Sequence, residues 1–312
     1  MSKILNLTTE DWQTVLEIHG RIAQQIPANH REVLLRAAKE VGLAPGKLFH
    51  FVYVVENFDP ADLSVANYQK RDPFDHPQVI QAHLNDWARV GWLEMMANGR
   101  FQITRAGHQI RQLRWQIIVD AIASHNKNQS STLANCLATL KKVKQQVIDG
   151  GVTEEYLSFF VRYKKGLKPP PNIGSLLQLI EYRMDFGALR DDVHLAAWRE
   201  VAPDLSPVEW ELISIVGENP QIKLGQFIEQ QARRGFEQAV FDTAVTKLTQ
   251  IQWLKYDRNL LKLEAVANKS RVQVEKITNT KFFNPWQEAL TNHEIENHKE
   301  NLKLLRRELG KQ

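Results

Sequence analysis

Four arginines, Arg100, Arg105, Arg111 and Arg114, stand between Met95 and Val119 with no acidic residue among them. From Lys247 to Lys281 there are eight basic residues and three acids, Asp257, Glu264 and Glu275. Arg162 to Lys168 holds four basic residues and no acid. Charges gathered this way serve either as a solvated face or as a footprint for a polyanion. The second use requires the clusters to fall at equivalent places in a fold. Other groups have the types but not the spacing for chemistry. His293 and His298 are five residues apart, whereas two metal ligands on one helix face need four; both read as exposed histidines of a terminal helix. Asp191-Asp192 with His194 reads as carboxylates capping a helix N-terminus, since no second ligand group stands at a helpful spacing. Cys136, in the stripe Leu133, Leu137 and Leu140, reads as a core residue. A P-loop, a dinucleotide glycine fingerprint, a nucleophile elbow and Cys-x-x-Cys are all missing from the sequence. Neither an enzymatic activity nor a cofactor is therefore expected.

The elements that must position the charges belong to a chain of 312 residues, enough for about two domains. Hydrophobic residues make up 43% and charged residues 24%, which suits a packed protein and excludes a disordered one. The net charge is only +4, so whole-chain electrostatics says little. The nearest candidate membrane segment, Leu48 to Val55, is far shorter than the roughly 18 apolar residues a spanning helix needs. The first residues lack a signal-peptide core, and one cysteine permits no intrachain disulfide. A soluble, cytoplasmic protein is the expectation.

The sequence contains a repeat. Leu84, Trp87, Val90, Trp92 and Leu93 match Val245, Leu248, Ile251, Trp253 and Leu254 at a constant offset. In the first copy the helical stripe ends at Gly91, and Asn98-Gly99 between two strand-like runs signals a hairpin. In the second copy Asp257-Arg258-Asn259 stands between the runs. A long amphipathic helix follows each, near Arg105 and near Val266. Leu7-Thr8 with Asp11-Trp12 resembles Leu205-Ser206 with Glu209-Trp210, each an N-cap hydroxyl with a carboxylate three residues on. About 85 residues separate Leu7 from Trp92 but about 48 separate Leu205 from Trp253, so extra helical material is expected around residues 20–45.

Leu205 to Leu263 resembles the winged helix-turn-helix core of MarR-like DNA-binding proteins. Ser206–Val216 would be its first helix, Leu224–Ala232 the support helix, Phe236–Ile251 the recognition helix and Trp253–Leu263 the wing. The helix from about Val266 and the last helix, Ile295–Leu309, match the C-terminal helices that such proteins use for dimer contacts. The first half is a more distant copy, with Ala61–Ala66 as support helix, Pro77–Val90 as recognition helix and Trp92–Thr104 as wing. Thr104-Arg105-Ala106-Gly107 resembles the threonine-x-x-glycine that closes many such wings; Glu264-Ala265-Val266-Ala267 departs from it. The resemblance implies a mainly α fold with small two-stranded β wings, as two winged units joined by a helical connector. The domains would be 1–125, 126–203 and 204–312. Within the connector, polar residues 125–131 read as a linker, followed by helices over 133–148, 153–164, 175–184 and 192–200.

The same resemblance implies a DNA-binding transcriptional regulator. Base edges would be read by Gln78, Gln81, Asn85 and Arg89 in the first copy and by Gln238, Thr243 and Lys247 in the second, because such side chains hydrogen-bond to bases in the major groove. Phosphate would be held by Arg100 and Arg105, and by Lys255, Arg258 and Lys262. Two units in one chain would read two half-sites about one helical turn apart, as a monomeric pseudo-dimer or a homodimer, with a small-molecule effector near the connector. The candidate helices are not basic, however. Asp75 and Asp86 stand against Arg89, and Glu237 and Asp242 against Lys247. This favours the alternative, a protein-interaction scaffold.

Overall fold

The computed structural model describes residues 7–24, 28–123, 130–151, 157–171 and 173–310. Helices α1 (Thr9–Gln24), α2 (Ala28–Glu40) and α3 (Pro45–Asn57) come first. Then follow α4 (Val65–Arg71), α5 (Pro77–Arg89), the hairpin β1 (Leu93–Met95) and β2 (Phe101–Ile103), and α6 (Arg105–Ala123). Next are α7 (Ser131–Asp149), α8 (Leu157–Lys164) and α9 (Ser175–Val201). The last part comprises α10 (Pro207–Glu218), α11 (Leu224–Gln231), α12 (Gln238–Gln250), the hairpin β3 (Leu254–Asp257) and β4 (Leu260–Leu263), α13 (Ala265–Ala289) and α14 (Asn292–Leu309). The protein is mainly helical with two small antiparallel sheets. Among the described residues no helix is long and apolar enough to cross a membrane. Most of the expected linker, residues 125–129, and the start of the expected helix at 153–156 lie outside the described residues.

Two compact units are present, and neither is contiguous. Unit one is Met1–Asp62, Asp86–Asp192 and Asn279–Gln312; unit two is Leu63–Asn85 and Val193–Thr278. These limits differ from the expected divisions after residues 125 and 203. Three of the four fall inside α5, α9 and α13, where no linker composition marks them, and the fourth lies just before α4.

In unit one, α1 and α7 both pack on α14. Trp12 meets Phe282 edge-on at 5.2 Å, and Ile18, Ile22, Leu133, Cys136 and Leu140 are buried. Burial pushes the Cys136 thiol pKa up to about 12, in keeping with a core role. Thr291 and Glu294 form a capping box that starts α14. Its apolar face, Ile295, Leu302, Leu305 and Leu309, is buried. That face is used within the unit, contrary to the dimer contact expected of the last helix. A second correction concerns His298. His293 is exposed, but His298 is 1% exposed, with its ring 5.7 Å from Trp286 and both nitrogens unpaired. Burial lowers its pKa to about 4.

The repeat is real at the level of element order, but its opening helix in the first copy is α3, not α1. Pro45 precedes Trp92 by 47 residues, and Pro207 precedes Trp253 by 46. Phe51 of α3 lies 5.5 Å from Trp87 and 5.0 Å from Trp92. The Thr8–Asp11 cap does form, at 2.8 Å, but on the helix that packs with α14. The expected support helix at 61–66 is displaced to α4, because Ser64 is its N-cap, accepting from the Asn67 N–H at 3.2 Å. The two helices expected at 175–184 and 192–200 are one, α9. Asp192 caps not its own helix but α8, whose Ser158 and Phe159 N–H groups donate to it at 2.8 Å. An acidic pair thus looked like a helix start while lying mid-helix.

Unit two has a continuous core. Trp210, Leu212 and Ile213 of α10 pack with Phe227 of α11, Phe241, Val245 and Leu248 of α12, and Leu254 and Leu261 of the hairpin. Ser206 and Glu209 form the expected capping box on α10. Lys223 bridges to Leu260, so the residue before α11 is laid along the hairpin.

Candidate nucleic-acid interface

Each hairpin is launched by the same helix ending. The Trp92 N–H donates to the Trp87 carbonyl at 2.8 Å, and that of Trp253 donates to Leu248 at 2.9 Å. The residue before each tryptophan is left-handed. In the first copy it is Gly91, at φ +77°; in the second it is Gln252, at +59°. Glycine adopts this conformation without penalty, whereas a side chain costs about 1 kcal/mol.

The hairpin turns differ in the same way. The first uses Gly99 at φ +75°, with the Met96 N–H donating to the Arg100 carbonyl at 2.7 Å. The second closes on two residues, Arg258 at +48° and Asn259 at +67°, both positive as a type I′ turn requires. Asn259 suits that position and accepts from the Tyr256 hydroxyl at 2.9 Å. Arginine does not suit it. Gln252, Arg258 and Asn259 are the three non-glycine residues with positive φ among the described residues. All belong to this hairpin or its launching turn.

The charges follow the same division. Lys255 and Lys262 are directly opposite each other in the β3–β4 register, both exposed. Like charges so placed repel. With Arg258 they make three exposed cations that have no ion pair among the described residues. In the first hairpin Arg100 is held by both oxygens of Asp62 at 2.8 Å, Glu94 faces Gln102, and Met95 is 66% exposed. Arg105 is exposed at the start of α6.

The expected base-reading residues are placed less favourably. In the first copy Gln78 and Asn85 are exposed, and the Gln81 amide donates to Asn85 at 2.9 Å. Arg89 is ion-paired with Asp86 at 3.4 Å, and Lys47 also pairs with Asp86 and lowers its pKa. On α12, Gln238 and Thr243 are exposed, with the Thr243 hydroxyl donating to the Ala239 carbonyl at 2.7 Å. Lys247 is bonded to Glu209 at 2.8 Å and to the Asp204 carbonyl at 3.0 Å. Glu237 and Asp242 remain exposed, so the outer face of α12 carries acid, and in this copy the unpaired cations among the expected contacts are those of the hairpin.

Sequence reading missed a contact inside unit two. The His76 N–H donates to the Arg234 carbonyl at 2.9 Å. The Arg234 guanidinium pairs with Asp75 at 3.0 Å and with Glu211, and lies 5.4 Å over Phe74. A β-carbon on Gly235 would stand 2.1 Å from Val79. The turns that lead into α5 and α12 are therefore bonded together, and the two helices start side by side. Two reading helices on half-sites one turn apart need about 34 Å between them. No motif announces this contact; the signal in the sequence is the pair Arg233-Arg234 just before Gly235. The chain matches none of the family models, curated proteins or solved structures with which it was compared.

Proposed function

We propose that this protein is a DNA-binding transcriptional regulator in which α10, α11, α12 and the β3–β4 hairpin act as a winged helix-turn-helix unit. Lys255, Arg258 and Lys262 hold duplex phosphates. One observation carries the reading: repulsive charge and unfavourable backbone are gathered in one exposed hairpin. The facing lysines and the left-handed Arg258 each cost stability, and residues that cost stability without a packing role point to function. A phosphate backbone offsets both, because each cation that meets it releases a condensed counterion. The joined starts of α5 and α12 favour one duplex contact per chain over a pseudo-dimer reading two half-sites. Anisotropy titration of a random duplex tests the proposal. Three phosphate contacts give a log–log salt slope of about −2.7, so affinity falls about 40-fold between 50 and 200 mM salt. No binding at 50 mM salt overturns it.

A second reading, a protein-interaction scaffold, is favoured by a cleft of about 560 Å³ beside α12. Pro73, Pro77, Pro207, Val208, Phe236 and Val240 line it, and Glu237 and Asp242 stand exposed on the same helix. On that reading a partner copurifies and the duplex does not bind.

A further inference from the structure

Unit one contains a cleft that neither the winged-helix reading nor the hairpin uses. Its volume is about 300 Å³, at the small end of the range for small-molecule sites. Arg162, at 4% exposure, forms its floor. The guanidinium donates to Asp185 at 2.7 Å, to Asn57 at 3.1 Å and to Glu181. Lys144 takes a further oxygen of Asp185. Glu56 is shared by Arg111 at 3.1 Å and Arg114 at 3.6 Å. Every carboxylate here is thus already held by one or two cations.

Lys168 has no carboxylate. Its ammonium donates to the Arg162 carbonyl, and Arg111 in turn donates to the Lys168 carbonyl. Loss of water around the ammonium holds its pKa down to about 8. The Lys168 and Lys144 nitrogens lie 5.6 and 5.7 Å over the Tyr163 ring, and Lys144 lies 5.6 Å over Tyr182. For Lys168 a ring face stands where a counter-charge would. Among the lining residues Lys144, Arg162 and Lys168 face Glu56, Glu181 and Asp185; Arg111 and Arg114, which hold Glu56 from behind the lining, bring the whole cluster to five cations against three carboxylates. With Glu56 already taken by Arg111 and Arg114, Lys168 is left on the cleft wall without a carboxylate, and a cluster with two positive charges in excess favours an anion there, since burying unpaired charge is costly. Gln178 and the two tyrosines add directional donors at its wall.

We infer that this cleft binds a small oxyanion, a carboxylate or phosphate compound, with Lys168 as its principal contact. The inference is independent of duplex binding. The test is calorimetric titration of the full chain at fixed ionic strength, with inorganic phosphate in one arm and malonate in the other. The expected result is saturable one-site binding in at least one arm; the arm that binds names the anion class. Lys168→Gln should weaken it at least tenfold, and Lys168→Arg should restore most of it. Lys142→Gln, which removes only the pair with Glu294, should leave it unchanged. The groups facing the Lys168 ammonium are Asp185, Lys144, Arg162, Glu181 and Tyr163. Lys168 carries its charge below pH 8, so affinity should fall about tenfold per pH unit above it. No saturable binding in either arm, or equal binding by Lys168→Gln, overturns the inference.

Discussion

The two hairpins share a helix ending and a following helix, yet they resolve the same backbone problem with different residues. The first places glycine at both left-handed positions, ties its arginine to Asp62 and exposes methionine. The second places glutamine, arginine and asparagine in left-handed backbone and leaves three cations without partners. Stability explains the first set of choices and not the second. Packing alone gives no reason for the second set, and on the proposed function that difference singles out the second hairpin.

Removing the three cations of the second hairpin should have the greatest effect. Lys255→Gln with Arg258→Gln and Lys262→Gln should cost about 500-fold in duplex affinity at 0.1 M salt, from about 0.9 log units per phosphate contact. Thermal unfolding of the same variant should show no loss of stability, since the facing lysines no longer repel. Arg100→Gln in the first hairpin should leave duplex affinity within about twofold.

Next comes the junction between each hairpin and its following helix. Thr104 donates to the Gly91 carbonyl at 2.6 Å and accepts from the Gly107 N–H at 3.1 Å. A β-carbon on Gly107 would stand 2.3 Å from the Trp92 carbonyl oxygen. Gly107→Ala should therefore destabilise by about 1–3 kcal/mol or more in denaturant titration. At the matching place Ala267 is fully buried, and Ala267→Gly should cost about 1 kcal/mol, a loss of helix propensity. Equal tolerance of both substitutions would break the equivalence of the two junctions.

A smaller effect separates strain from charge. Arg258→Gly should raise stability by about 0.5–1 kcal/mol, because glycine accepts φ +48°. The same change should shrink the salt slope by about 1. Gln252→Gly should bring a similar gain in melting experiments without changing the slope. A gain in stability with full duplex affinity at Arg258→Gly would remove the functional reason for the arginine.

Much of this was legible in the residues themselves. Asn98-Gly99 located the first hairpin, the Ser206–Glu209 spacing located the α10 cap, and the tryptophan pair at 92 and 253 located the repeat. These are local signals, decided within a few residues. The misreadings have a common cause, which is that the deciding partner is distant in sequence. Asp192 looked like a cap for its own helix and instead caps α8. The Thr8–Asp11 cap drew α1 into the repeat, although its apolar face belongs with α14. His298 looked exposed because its neighbours are charged, while its own side chain turns into the core. Lys247, Arg89 and Arg100 looked like free cations until Glu209, Asp86 and Asp62 were found beside them. Of the expected interface, the hairpin trio Lys255, Arg258 and Lys262 and, in the first copy, Arg105 keep their charge unpaired, and the cleft around Lys168 was visible only as four basic residues in a row of seven.

On the proposed function, duplex binding resides in the second hairpin. Its most direct test is the salt slope, measured by anisotropy on one random duplex for the wild-type chain, the triple glutamine variant and Arg100→Gln. A slope of about −2.7 is expected for the wild type and for Arg100→Gln, and a slope near zero for the triple variant. A triple variant that keeps the wild-type slope would place the phosphate contacts elsewhere and contradict it.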